Sequence, residues 1–296
     1  MAYRIVKIGS RCKLETQLNY LVCRTDKETR ILLDEIAVLL IENPQVCITS
    51  ALISELMSHK VRVIFCDPKH NPQGEIEPYS SCFDSPAKLN RQISWSSKTA
   101  SEVWKSIISC KITNQIECIR RHCSKPDRIS LLQTYIDGLL PDDTTNREGL
   151  AAKVYFNTIF GEGFDRRDEY EIKNTYLNYG YSLVLSIVNR EIAAFGYNNM
   201  LGIHHKGPSN PFNLGCDFVE PLRPFVDDFI LSNDLKAETF KKEMSPLLTA
   251  ECLCNGKKMI MQNAINAYVI SLLGALNNDD PSKVAKVGFL DGRVAV

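Results

Sequence analysis

The sequence predicts an α+β multidomain protein: a small β-rich N-terminal domain over residues 1–67, a proline-rich linker over 68–86, and a larger all-α C-terminal domain over 87–296. Three observations predict it. Apolar residues in the first 67 positions alternate or run in short stretches rich in Leu, Ile and Val. Pro68, Pro72, Gly74, Pro78 and Pro86 then follow in quick succession, punctuation that neither a helix nor an interior strand continues through. Beyond Pro86 the apolar spacing changes to the period of helices buried on one face.

Taken in order, Tyr3 to Ile8 alternates as a strand, and Leu18 to Arg24 and Arg30 to Ile41 are further strand stretches between polar turns. Ser50 to His59 reads as a short helix with Ile53, Leu56 and Met57 on one stripe, and Val61 to Cys66 as a compact buried strand. In the second domain, Ala87 to Cys123 spaces Leu89, Val103, Ile107 and Ile116 helically, with basic residues between them. Asn146 is the expected N-cap of a helix reaching Phe160, with Gly161 as its stop. Lys173 to Phe195 carries Leu177, Tyr181, Val184, Val188 and Ile192 on one side, and Gly196 follows its end. Lys257 to Leu276 closes the set, and the tail beyond Leu276 is expected to be loosely held.

A hydrophobic content of 44%, a charged content of 24% and zero formal charge are ordinary for a soluble globular chain. The neutral total hides a basic segment: from Lys88 to Arg128 nine Lys and Arg stand against three acids. Such a run can mark a nucleic-acid surface, and equally a solvated helix face. The eleven cysteines form no CxxC pair, which predicts reduced, mostly buried thiols and a cytoplasmic location. The N-terminus lacks signal-peptide features, and charge or amide groups interrupt every long apolar window, so no membrane span is expected.

The segment from Leu201 to Pro224 gathers His204, His205, Asp217 and Glu220 around a Gly/Pro/Asn-rich loop. His204 and His205 are adjacent, so in an extended segment they face opposite ways and one of them meets a given site. The Lys206-Gly207-Pro208 turn could aim His205 at the acids, and Arg223 could pair with either acid. Asp217 and Glu220, three apart, share a face on a helix, where they serve as ligands or complement its positive end. Glu148 shares a stripe with Ala152, Tyr155 and Ile159, which makes it a buried ligand or a first-turn acid. Two carboxylates and one imidazole favour Mg2+ or Mn2+ over structural zinc, and no HExxH or GxxxxGK[ST] pattern offers another chemistry. Phosphodiester cleavage or transfer is the reaction natural to such a site.

Three motifs give the chain a family likeness: Asn146-Arg147-Glu148-Gly149 with the following LAAKVYFN; Asn174 with Leu177-Asn178-Tyr179-Gly180-Tyr181; and LGIHHKG with DFVEPLRP. With these the chain resembles CRISPR-associated protein one, the spacer-acquisition integrase and metal-dependent DNA endonuclease. The similarity extends over nearly the whole chain and looks most like members from type II systems.

The resemblance implies that Glu148, His205 and Glu220 are catalytic ligands of one Mg2+ or Mn2+, with Asp217 a further acid nearby. It implies transesterification, in which the 3′-hydroxyl of a short incoming DNA attacks a phosphodiester at the edge of a CRISPR repeat, as well as phosphodiester hydrolysis. Arg223 and Lys206 are then candidates for phosphate contact, and Tyr179 and Asn174 could line the site; ordinary packing and capping are the alternative for all four. The implied partners are double-stranded DNA (prespacer and repeat), a second copy of the chain in a homodimer, CRISPR-associated protein two, and other type II adaptation proteins including the RNA-guided effector nuclease.

Overall fold

The computed structural model describes residues 4–66, 72–76, 78 and 85–290, so Tyr3 and most of the 68–86 segment lie outside the described residues. The chain divides into two units, Met1–Ser85 with Ala193–Gly196, and Pro86–Ile192 with Tyr197–Val296.

The first unit opens with strand β1 (Arg4–Ile8), followed by β2 (Lys13–Gln17) and β3 (Tyr20–Arg24) as an antiparallel hairpin. Its two-residue turn, Leu18-Asn19, has both φ angles positive, at 50° and 65°, which matches the twist of paired strands. Next come β4 (Glu28–Leu32), β5 (Ile36–Ile41) and β6 (Cys47–Ile48). Helix α1 (Ser50–Ser58), capped by the Thr49 hydroxyl on the Leu52 N–H at 3.2 Å, leads to β7 (Arg62–Cys66) and β8 (Pro72–Ile76). Two four-stranded sheets result, ordered β4-β3-β2-β6 and β1-β5-β7-β8. Strand β5 lies between two parallel neighbours and is buried along its whole length, as an interior parallel strand must be. The expected linker therefore contains a strand. Pro72 is the first residue of an edge strand, where a missing N–H is tolerated.

The second unit is mainly helical, as predicted. The helical spacing read over Ala87 to Cys123 corresponds to two helices, α2 (Ser85–Ile93) and α3 (Ser97–His122), the latter starting at a Ser96 cap. Then follow α4 (Pro126–Asp137), α5 (Arg147–Ile159), α6 (Ile172–Ala194), α7 (Asn213–Val219), α8 (Arg223–Ser232) and the short α9 (Phe240–Glu243). A small sheet, not foreseen, follows. Strand β9 (Glu251–Cys254) turns through Asn255-Gly256, both at positive φ, into β10 (Lys257–Ile260). Helix α10 consequently starts at Met261, not Lys257, and runs to Asn277. The tail is not loose up to Leu290: β11 (Val287–Gly288) pairs with β9, and Phe289 stacks on Phe225 at 4.2 Å. Helix α3 packs against α4, α5, α7, α8 and α10, so its burial of Val103, Trp104, Ile107 and Ile112 makes it central to the unit. Among the described residues, ten cysteines are free thiols and no helix is long and apolar enough to cross a membrane.

Candidate metal centre

Glu148 sits in the first turn of α5, and the backbone leading to it is strained. Asp142, Asp143 and Asn146 have φ of 60°, 49° and 51°, a region that non-glycine residues rarely occupy. Asn146 stands where an N-cap was expected, but its side chain makes no cap bond. Asp143 does that work instead: its carboxylate accepts the N–H groups of Arg147 at 2.7 Å and Glu148 at 2.8 Å. The strained turn lets a carboxylate further upstream reach the open end of the helix, which fixes the position of Glu148.

Glu220 begins a 3-10 turn (Glu220–Leu222) between α7 and α8, with Pro221 in its first position pair, and it is buried. Glu148 and Glu220 converge on one cation, the ammonium of Lys111 from the middle of α3. Lys111 Nζ lies 2.6 Å from Glu148 Oε1 and 2.5 Å from Glu220 Oε2. Arg223 completes the set, donating from Nε to Glu220 Oε1 at 2.8 Å, so it pairs with Glu220 and not with Asp217. Burial by itself would raise the Glu220 carboxyl, but the Arg223 guanidinium and the Lys111 ammonium outweigh it and hold that carboxyl at about 2. Burial would likewise lower Lys111, and the two glutamates reverse the direction and keep it charged.

His205 is positioned by Asp217. The fully buried Asp217 carboxylate accepts the backbone N–H groups of Ile203 (2.7 Å), His204 (3.1 Å) and His205 (2.9 Å), and lies 2.6 Å from His205 Nδ1. This folds the loop tightly enough that Gly202 has no room for a side chain; a Cβ there would stand 2.3 Å from the His205 carbonyl oxygen. A carboxylate on Nδ1 leaves Nε2 as the ring atom available to a ligand, the usual arrangement behind a metal-bound imidazole. The Asp217 hydrogen bond raises the His205 pKa against burial, with smaller upward contributions from Asp217, Glu220 and Glu148 charge. The two histidines do not face opposite ways as expected of an extended segment. Both rings rest on Trp104 of α3: His204 stacks at 4.1 Å and His205 meets it edge-on at 5.7 Å. His204 Nδ1 lies 3.0 Å from Asp142 Oδ1.

A cavity of about 250 Å³ adjoins the carboxylates, lined by Lys111, Glu148, Arg166, Tyr181, Glu220 and Arg223 among others. Arg223 lies over the Tyr181 ring at 4.8 Å and Arg166 over the same ring at 5.4 Å. Asp227, also on the cavity wall, accepts Tyr181 Oη at 2.5 Å and Tyr155 Oη at 2.9 Å; burial raises its carboxyl to about 6 despite both bonds. Gln115 lines the cavity too, and its buried Oε1 has no hydrogen-bond partner.

Two carboxylates that already share one monovalent cation, with an oriented imidazole close by, fit Mg2+ or Mn2+. The three side chains share a region but do not yet enclose a point. Among the described residues, the group of three such side chains with ligand atoms all within 4.8 Å of one another is Cys118, His122 and Asp228. That cluster is a poorer cation site: burial pushes the Cys118 thiol up, and Asp228 Oδ1 is already taken by Arg121 Nε at 2.7 Å and by His122 Nε2 at 2.8 Å.

Of the other candidates, Arg223 lines the cavity, and Lys206 is exposed beside His205. Tyr179 and Asn174 do not line the cavity. Tyr179 packs edge-on against Phe240 at 5.4 Å, and Asn174 donates to the carbonyls of Asp165 (2.8 Å) and Asp168 (2.9 Å), tying the turn before α6. Tyr181, two residues after Tyr179 and two turns after Asn174 on the same helix, takes the cavity wall. Sequence reasoning missed Lys111, Asp143, Gln115 and Asp227. The basic run of α3 hides Lys111, since Arg120 and Arg121 of that run pair at the surface with Glu117 (3.1 Å) and Asp228 (2.7 Å).

The family model of CRISPR associated protein Cas1 matches residues 6–263. A CRISPR-associated endonuclease Cas1 of Neisseria meningitidis serogroup C (strain 8013) is 34% identical over 278 residues, 94% of this chain and 90% of its own. Among solved structures, a casposase bound to integration product superposes with a TM-score of 0.73 at 19% identity, over 96% of this chain and 94% of that one. A Cas6-RT-Cas1–Cas2 complex gives a TM-score of 0.74 at 17% identity over 95% of this chain, which spans 35% of that longer polypeptide. These two likenesses concern the fold; the family model and the meningococcal relative place the chain, and it belongs to the Cas1 family of CRISPR-associated proteins.

Proposed function

We propose that the chain is a metal-dependent DNA endonuclease and integrase that inserts new spacer DNA into a CRISPR array by transesterification, with Glu148, His205 and Glu220 holding Mg2+ or Mn2+. The observation that carries this reading is the meeting of Glu148 and Glu220, from different elements, on one cationic atom, with the Asp217-oriented His205 alongside. The name of the meningococcal relative and the fold shared with a casposase bound to its integration product support it.

A bound divalent ion supplies charge neutralisation at the phosphate and acidifies the attacking hydroxyl. The chain supplies the rest. Glu148 is set by the Asp143 cap, Glu220 is kept ionised by Arg223 and Lys111, and His205 Nε2 is freed by the Asp217 bond on Nδ1. Arg166 and Arg223 give the cavity a positive wall for phosphate, and exposed Lys206, next to His205 in the chain, is a further candidate for phosphate contact. In the reaction one P–O bond to the incoming 3′-oxygen forms as one P–O bond of the repeat breaks. The proton lost by the attacking hydroxyl is matched by the one the leaving oxygen takes up. The same reading takes a second copy of the chain, Cas2 and, in a type II setting, the RNA-guided effector nuclease and other adaptation proteins as partners.

Purified protein with Mn2+ is expected to nick or disintegrate branched DNA, and Glu148→Ala to abolish turnover while the circular dichroism spectrum is kept. Turnover undiminished in that variant defeats the assignment. The bridging of both glutamates by Lys111 favours a second reading, a DNA-binding assembly subunit in which the ammonium permanently replaces the metal. That reading predicts salt-sensitive DNA affinity with no Mn2+ binding and no turnover.

A further inference from the structure

Of the four carboxylate oxygens on Glu148 and Glu220, three carry a cationic donor: Lys111 Nζ on Glu148 Oε1 and Glu220 Oε2, and Arg223 Nε on Glu220 Oε1. The formal charge of the four side chains is therefore already zero. A divalent ion takes carboxylate oxygens at about 2.1 Å. Both oxygens of Glu220 carry a donor, so an ion shared by the two glutamates must displace one, and the Lys111 ammonium is the donor that already lies between the two carboxylates. Ion and ammonium exclude each other at that point, and their electrostatic repulsion acts across a buried region that screens it poorly.

Somewhere must receive the displaced ammonium. Lys111 is itself on the wall of the 250 Å³ cavity that adjoins the carboxylates, together with Arg166 and Arg223. Ion entry leaves that enclosure with a surplus of two positive charges and with a lysine that has lost both acceptors. An anionic phosphodiester in the cavity cancels the surplus and offers acceptor oxygens to the ammonium. Without it, the cavity wall offers the ammonium the unpaired Gln115 Oε1 and the Asp227 carboxylate that Tyr155 and Tyr181 already occupy, and the surplus charge stays uncancelled, an expensive state.

Resting on the metal reading above, we propose that Lys111 is the resident cation of the Glu148–Glu220 pair, and that its transfer to a DNA phosphate makes divalent-ion binding and DNA binding mutually reinforcing. Lys111 is in this sense a positioning residue. It holds two like charges together in the free protein, keeps ion affinity low in the absence of DNA, and reports the arrival of phosphate to the carboxylates. The coupling is reciprocal: DNA raises ion affinity by the same factor by which the ion raises DNA affinity.

The test measures Mn2+ affinity of the full chain by the electron paramagnetic resonance signal of free Mn2+, with and without a short forked duplex, and duplex affinity by fluorescence anisotropy with and without Mn2+. In the unaltered protein each ligand is expected to tighten the other by about tenfold. Lys111→Met is expected to bind Mn2+ about tenfold more tightly without DNA and to lose most of the coupling. Lys111→Arg, which keeps the charge and spares the fold if Met does not, is expected to keep the weak DNA-free affinity. Independent binding of Mn2+ and duplex in the unaltered protein overturns the proposal without any variant, as does a folded Lys111→Met whose Mn2+ affinity is unchanged or weaker. Glu148→Gln separates the two layers. If it leaves Mn2+ affinity intact, the metal reading fails; if it removes Mn2+ binding while Lys111→Met gains none, only the Lys111 inference fails.

Discussion

Replacing Glu220 by Gln removes the most strongly held charge of the site and keeps its shape. The Glu220 carboxyl lies at about 2, from an ordinary 4.5, and each pH unit of that drop is about 1.4 kcal/mol. The ionised carboxylate therefore contributes about 3 kcal/mol of folding stability at pH 7. The sign follows from the lowered value: the contribution is fully present above pH 4.5 and is lost as pH falls toward 2. Leaving Arg223 and Lys111 short of an acceptor acts in the same direction, and breaking one side of a buried pair costs about 3–5 kcal/mol. Both tryptophans, Trp95 and Trp104, lie in the helical unit, so their fluorescence follows its unfolding selectively. For a unit of this size the loss corresponds to a midpoint lowered by roughly 6–12 °C at pH 7. At pH 3 the difference between the two proteins is expected to shrink to less than half. A loss below about 1 kcal/mol at pH 7, or an equal loss at both pH values, refutes the reasoning that Lys111 and Arg223 hold Glu220 ionised.

Three further outcomes are expected. Asp143→Ala removes the acceptor of the Arg147 and Glu148 N–H groups, so urea unfolding shows a loss of about 1–2 kcal/mol, where an Asn146→Ala variant shows less; equal losses contradict the cap assignment. Gly202→Ala forces a methyl group against the His205 carbonyl oxygen, so the His205 titration followed by NMR drops back toward 6.5 as the Asp217 bond opens; an unmoved titration contradicts the tight loop. Asp227 has its carboxyl raised from 3.8 to about 6, so its stabilising balance holds below pH 3.8 and is lost as pH rises through 6. Asp227→Asn is accordingly expected to be more favourable at pH 8 than at pH 4 by about 2–3 kcal/mol, and a pH-independent effect on urea unfolding contradicts it.

The broad layout was legible because it depends on periods: alternating apolar residues in the first unit and helical stripes at Leu177, Tyr181, Val184 and Val188 in the second. Two hairpins were not seen. The Leu18-Asn19 turn carries a leucine that is 82% exposed, which disguises it as part of a strand. Asn255-Gly256, by contrast, is a strong turn signal just before the helix expected from Lys257, and that helix absorbed the residues of β10. The strand after Pro72 was missed because an edge position tolerates proline. At the site, the motifs brought Glu148, His205 and Glu220 forward, and the structure gathers them in one region. Lys111 was hidden because a lysine in a basic helix looks solvated, and only the three-dimensional course of α5 and the turn at Glu220 turns it inward. Asp143 was hidden because its reach depends on three residues of unusual φ, which no local propensity announces.

A crystal of the protein soaked in Mn2+ with a short duplex, measured at the manganese absorption edge, tests the central claim most directly. The anomalous peak is expected between the Glu148 and Glu220 carboxylates and His205 Nε2, with the Lys111 ammonium moved away from both glutamates. A peak at Cys118, His122 and Asp228 instead, or none at all with Lys111 still bridging the pair, contradicts it.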